Sequence, residues 1–188
     1  MLTLARLPRG ALFALTGGLV ATGALLAFGG RGGWGTLLGV PLRNLGTGVA
    51  VLWMAATAHR LGTRRGFDNR FTLVVATGYL VLSLLYGGVE AWLGLLSWPR
   101  PAALAALFGA GKAAAGFWVA SYVMLTYKAA AALEGAEGAR VLPAARKLLN
   151  WLGFALFPVG VWSLQPRVRA ALRDPYRPER RLEDHLVP

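Results

Sequence analysis

One uncharged stretch, residues 71–89, constrains the fold of this chain more than any other feature of its sequence. As an α-helix it would be about 28 Å long, and the hydrocarbon core of a bilayer is about 30 Å thick. Arg70 and Arg100 flank the wider segment 71–98, in which Glu90 is the one ionisable side chain. We therefore predict a membrane-spanning helix over residues 71–98.

The composition of the chain supports a membrane environment. Of its 188 residues 56% are hydrophobic and 15% are charged, with a mean hydropathy of +0.51. Soluble domains carry about 25% charged residues, and here the apolar residues occur in long uncharged runs. The fold class that we predict is an all-α, polytopic integral membrane helical bundle with four to five transmembrane helices.

The apolar runs define the predicted domain organisation. A transmembrane helical domain covers residues 1–166, and a basic, proline-containing tail covers residues 167–188. Pro41 predicts a kink or a break in the second helix, because proline removes a backbone hydrogen bond. The predicted helices are, in chain order, 10–30, 36–59, 71–98, 102–131 and 148–165.

The last of these segments is the ambiguous one. With about 18 uncharged residues it is just long enough to span a bilayer, whereas Pro158 near its centre would permit a re-entrant or interfacial course. If the segment spans, the basic tail lies on the outside of the membrane; if it is re-entrant, the tail stays inside. We favour a spanning segment, because of its length.

The distribution of basic residues predicts the orientation and the partners. The formal net charge is +12, and Arg and Lys lie mostly at the ends of the apolar runs. The positive-inside rule then places the N-terminus and the loop at 59–70 in the cytoplasm, and the turns at 31–35 and 99–101 outside. We expect a multi-pass protein of the cell (inner) membrane that contacts the lipid bilayer and no nucleic acid.

The sequence argues against several kinds of chemistry. It has no cysteine, which excludes disulfides and thiolate sites. It has no Ser/His/Asp set, HExxH motif or phosphate-binding loop. His59 lies at a predicted helix end and His185 in the tail, so they do not form a pair of haem ligands within the membrane. We expect no catalytic residue, metal or cofactor.

Three charged residues are predicted to lie at one depth in the membrane. Measured along their helices from basic residues on the cytoplasmic side, Lys112 is about 24 Å, Arg43 about 26 Å and Glu90 about 30 Å away. A Glu90–Lys112 or Glu90–Arg43 ion pair follows, with Asn44 and Tyr86 completing its hydrogen bonding. These five residues are the predicted ligand-binding site; the alternative is a structural group of charges near the interface.

Three hypotheses on function follow. The first is a transport or ligand-binding membrane protein whose outer-leaflet charges bind an anionic small molecule or a lipid head group. The second is a non-catalytic subunit of a larger membrane complex. The third is a membrane-embedded, lipid-modifying enzyme. Because five helices are few for a complete transporter, we expect a homo-oligomer or association with other membrane subunits.

Overall fold

The computed structural model describes residues 4–29, 33–63, 69–95, 101–137, 143–157 and 159–173. This part of the chain is all-α and contains six helices. A short 3₁₀ turn, Leu4–Arg6, precedes them, and the first helix contains a π-helical segment, Ala14–Gly18. The helices are α1 (Arg9–Gly29), α2 (Gly33–Thr63), α3 (Arg70–Leu95), α4 (Pro101–Ala136), α5 (Ala144–Ala155) and α6 (Val161–Arg173).

The central element is α2, which packs against α1, α3 and α4. Residues 50–58 are all buried, so this helix meets protein on every side along two turns. Of the kink or break predicted at Pro41, a break is excluded, because α2 continues through that residue. Proline removes one backbone donor, and packing of neighbouring helices keeps such a helix intact in a membrane.

Three helices are long and apolar enough to cross a membrane: Arg9–Gly29, Leu37–Thr63 and Arg70–Trp92. The prediction of four to five spanning helices is therefore wrong for the described residues. The fourth predicted helix forms α4, whose 36 residues have sufficient length. It is not among the candidate spans of the described residues, and Lys112 and Lys128, both exposed, lie along it.

The fifth predicted helix, 148–165, is two helices instead of one. With 12 and 13 residues, α5 and α6 are about 18 and 20 Å long, and each is too short to span about 30 Å of hydrocarbon. The chain reverses between them, and a Cβ atom on Gly160 would overlap the carbonyl oxygen of Gly153. Glycine at position 160 thus allows this close backbone approach to Gly153.

The second of these helices returns to the end of the molecule where the chain begins. Gln165 donates hydrogen bonds to the carbonyl oxygens of Ala5 and Leu7, and Arg167 contacts Glu137 just beyond α4. No candidate span covers 148–165 among the described residues, so the prediction that this segment spans is wrong, and its two helices form a hairpin. Residues 167–173 complete α6 rather than begin a tail, while residues 174–188 lie outside the described residues.

Most of the predicted turns fall on the undescribed parts of the chain. Residues 30–32, 64–68 and 96–100 lie outside the described ranges, as does Pro158. The ends of the flanking helices are described, so the order of α1 to α4 is established without these turns.

Two glycines permit the contact between α1 and α2. A Cβ atom on Gly23 would lie 2.6 Å from the carbonyl oxygen of Gly39, and one on Gly39 would lie 2.5 Å from that of Gly23. Small residues at a helix crossing allow such close approach, which is a common way of packing helices in membranes. Gly18 on the same helix has open space where a Cβ atom would point, so it takes no part in this contact.

We expect Gly23→Ala to lower the free energy of unfolding by about 1–3 kcal/mol, because the added methyl group meets the backbone of α2. The measurement is unfolding of the detergent-solubilised protein by titration with a denaturing detergent. Gly18→Ala is the matched control and should be neutral or stabilising by up to about 1 kcal/mol. Equal destabilisation by the two substitutions would contradict this packing.

Candidate functional site

The predicted charged layer, Arg43, Glu90 and Lys112, draws on three different helices. Arg43 on α2 faces Glu90 on α3, with 4.0 Å between Nη2 and Oε2. The two side chains are 34% and 42% exposed. At this distance the guanidinium and the carboxylate attract each other without a direct hydrogen bond, and a partly exposed pair contributes at most about 1 kcal/mol.

Asn44 has a structural contact beside this pair. Its side-chain amide donates a hydrogen bond of 2.9 Å to the carbonyl oxygen of Ser83 on α3. Gly87 makes room for it, since a Cβ atom there would overlap the Asn44 amide. Polar side chains commonly join membrane helices in this way. Asn44 therefore fixes the register of α2 against α3 next to the Arg43–Glu90 pair.

Tyr86 lies one turn before Glu90 and connects α3 with α4. Its ring meets Trp118 edge-on, with 5.3 Å between ring centroids. Its hydroxyl lies against Gly111, where a Cβ atom would be 2.7 Å away. This contact places Lys112, the next residue, at the height of Tyr86.

Lys112 differs from the other two members of the charged layer in having no counter-charge. Its side chain is exposed, and among the described residues it takes part in no ion pair or hydrogen bond. Of the two ion pairs that the sequence predicts, the structure contains Arg43–Glu90 and, among those residues, not Glu90–Lys112. The layer thus combines two cations with one carboxylate.

A second polar centre, at the other end of the bundle, is absent from the sequence-based prediction. Gln165 on α6 is fully buried. Its Oε1 accepts a 3.0 Å hydrogen bond from the indole nitrogen of Trp53 on α2, while its Nε2 donates to the carbonyls of Ala5 and Leu7. The spacing of the apolar residues in α6 is the signal that would have placed Gln165 on the buried face; these residues are Val161, Leu164, Val168 and Leu172.

A third group, the polar cluster of Glu134, Glu137, Asn150 and Arg167, joins the last three helices. Arg167 donates to both oxygens of Glu137, at 2.8 and 2.7 Å, and to Asn150 at 2.8 Å. Asn150 in turn donates to Glu134 at 3.1 Å. Donating hydrogen bonds to Glu137 raises the pKa of the Arg167 guanidinium. This arginine is engaged with protein groups and stabilises the helical hairpin.

Comparisons of the chain with known protein families, with curated proteins and with solved structures find no match. Within the described ranges, no group of three or more His, Asp or Glu side chains is arranged to hold a metal ion. The charged layer and the polar cluster are therefore the features from which a function can be inferred.

We expect the Arg167–Glu137 pair to show a coupling free energy of about 1 kcal/mol in a double-mutant cycle, since the contact is bidentate and partly buried. The cycle uses Arg167→Gln and Glu137→Gln, with the free energy of unfolding as the measurement. The control cycle pairs Glu137→Gln with Arg146→Gln, whose charges are 4.0 Å apart and whose arginine is 58% exposed. That coupling should stay below about 0.3 kcal/mol; equal couplings would contradict the assignment.

Proposed function

We propose that this chain is a non-catalytic, multi-pass membrane protein that binds an anionic ligand at the charged layer. The observation that carries the proposal is the imbalance of charge in the layer. The contact of 4.0 Å between Arg43 and Glu90 compensates one cation, and exposed Lys112 remains without a partner among the described residues. An anion with a phosphate or carboxylate group would remove this imbalance.

The two cations suit such a ligand in complementary ways. A guanidinium forms planar, paired hydrogen bonds to phosphate or carboxylate, while an ammonium acts as a compact point charge. Because Arg43 makes no hydrogen bond to Glu90 at 4.0 Å, its donors can turn to a ligand. Asn44 and Tyr86 act as positioning residues, since their contacts hold α3 against α2 and α4.

Membrane energetics favour an anionic lipid head group or an anionic solute at this layer. A charge at the centre of a bilayer costs about 2.5–3.5 kcal/mol, so ionisable residues in apolar helices are candidates for function. Binding would occur near the membrane surface opposite the N-terminus, with the N-terminus in the cytoplasm. A transport function would require, in addition to binding, that the ligand move away from this layer.

A second candidate function is a subunit of a larger membrane complex. The observation that favours it is an exposed face of small residues on α4, which includes Ala113, Gly116 and Ala120. Gly109 and Gly116 have open space beside them. A helix of another subunit, or of a second copy of the chain, would fit such a face.

Native mass spectrometry of the protein, extracted gently from its own host, separates the two functions. A homo-oligomer or monomer that carries one discrete small-molecule mass would support ligand binding. Other polypeptides at a fixed stoichiometry would support the complex.

The charged layer predicts opposite effects for two substitutions. Lys112→Gln removes a cation and should weaken binding of phosphatidylglycerol by about fivefold, whereas Glu90→Gln removes the competing carboxylate and should strengthen it by a similar factor. Binding is measured by native mass spectrometry during a lipid titration, and Lys128→Gln on the same helix is the control. Unchanged binding in both variants, or a decrease in both, would refute an anion site in this layer.

A further inference from the structure

A strongly basic cleft lies at the end of the molecule opposite the charged layer. We use the name basic cleft for the surface formed by Arg6, Arg9, Arg169 and Arg173. It consists of two adjoining hollows of about 680 and 380 Å³ that share Arg169 and Arg173. The N-terminal segment contributes Arg6 and Arg9, and α6 contributes the other two. Among the described residues that line these hollows, every ionisable side chain is an arginine.

The arginines of the basic cleft differ from their neighbour Arg167. That residue has a carboxylate partner, Glu137, at 2.7 Å. Within the described part of the chain, no ion pair joins an arginine of the basic cleft to an acidic residue. Arg167 and Arg169 are thus only two positions apart on α6. Arg167 stabilises the fold, whereas Arg169 and Arg173 add positive charge to the surface of the basic cleft.

The two walls of the cleft are held together by buried and partly buried contacts. Gln165 ties α6 to the N-terminal segment through the carbonyl oxygens of Ala5 and Leu7. A second contact joins α1 to α6: the guanidinium carbon of Arg9 lies 5.2 Å from the ring centroid of Trp162, within the range of a cation–π interaction. Because the first contact holds α6 against the N-terminal segment and the second holds the side chain of Arg9, a ligand loses less free energy in bringing these groups together.

The surroundings favour a ligand that arrives from the membrane. Trp162 is 45% exposed beside Arg9, and tryptophan is enriched at the level of the lipid head groups. Large apolar side chains just before the start of α6 are also exposed, among them Leu156 and Val159 in the reversal between α5 and α6. A lipid could place its acyl chains along this apolar surface and its head group among the arginines.

We propose that the basic cleft binds the phosphate group of an anionic lipid. Arginine forms paired, charge-assisted hydrogen bonds to phosphate oxygens, and clusters of basic residues at the membrane surface attract anionic lipids. This site is separate from the charged layer. From Arg9 to Gly23, which packs against the backbone of Arg43, α1 rises by about 21 Å. Either site can therefore exist without the other.

Photo-crosslinking of the full-length protein tests this proposal at the level of the site. The protein is placed in phosphatidylcholine nanodiscs that contain a photoactivatable phosphatidic acid, and the cross-linked peptides are mapped by mass spectrometry. We expect cross-links in residues 4–9 and 161–173. Arg169→Gln with Arg173→Gln should reduce them by about tenfold, as expected for the loss of two charge-assisted contacts.

The control variant makes the same change in charge away from the cleft. Lys128→Gln with Lys147→Gln replaces two exposed lysines and should leave the cross-links unchanged. Circular dichroism checks that both variants remain folded. A competition arm with inorganic phosphate identifies the source of the phosphate: cross-links that persist support a lipid head group, and cross-links abolished by millimolar phosphate would overturn the lipid assignment in favour of a soluble ligand. Equal cross-linking in the cleft and control variants would overturn the site itself.

Discussion

The course of this chain depends on the hydrogen bonds of one buried side chain, the carboxamide of Gln165. It accepts a hydrogen bond from Trp53 at the centre of the bundle and donates to the backbone of the N-terminal segment. A buried polar group must find partners, because leaving one unpaired costs about 1–3 kcal/mol. Satisfying Gln165 requires α6 to lie beside both α2 and the N-terminus. The reversal after α5 and the geometry of the basic cleft follow from that requirement.

The polar cluster at the end of α4 reinforces the same arrangement. Arg167 reaches Glu137 beyond α4 and Asn150 on α5, so three helices meet at one charged group. The close approach of Gly153 and Gly160 completes the hairpin at its other end. The hairpin of α5 and α6 is thus held at its base by charge and at its tip by backbone packing.

The parts of the fold that the sequence predicts well are those decided by local apolar length. Three long apolar runs correspond to the three candidate spans, and charges inside such runs are expected to pair, as Arg43 and Glu90 do at 4.0 Å. The prediction for segment 148–165 is wrong because an uncharged run of about 18 residues is long enough for a span, but here it is divided between two short amphipathic helices that extend beyond it on both sides. The partners of Gln165 that decide between them are more than 100 positions away along the chain.

The dependence on contacts between distant parts of the chain also explains which functional candidates the sequence does not reveal. In the sequence, Arg169 and Arg173 resemble ordinary basic residues flanking a membrane segment, and their meeting with Arg6 and Arg9 depends on the return of α6. Counting residues along the helices places Lys112 near the height of Glu90, but whether these two side chains form an ion pair depends on how α4 packs against α3. The helix α4 packs less extensively on α3 than α2 does. Charge patterns along a sequence therefore locate candidates, and tertiary contacts decide their partners.

The most direct test of this account is the side of the membrane on which α6 ends. The chain contains no cysteine, so Arg6→Cys, Phe28→Cys and Ala170→Cys each introduce a single thiol at an exposed position. These variants are labelled with a membrane-impermeant maleimide in sealed vesicles of known orientation. We expect positions 6 and 170 to react from one side and position 28 from the other. Reaction of positions 6 and 170 from opposite sides would contradict the return of α6 to the N-terminal segment.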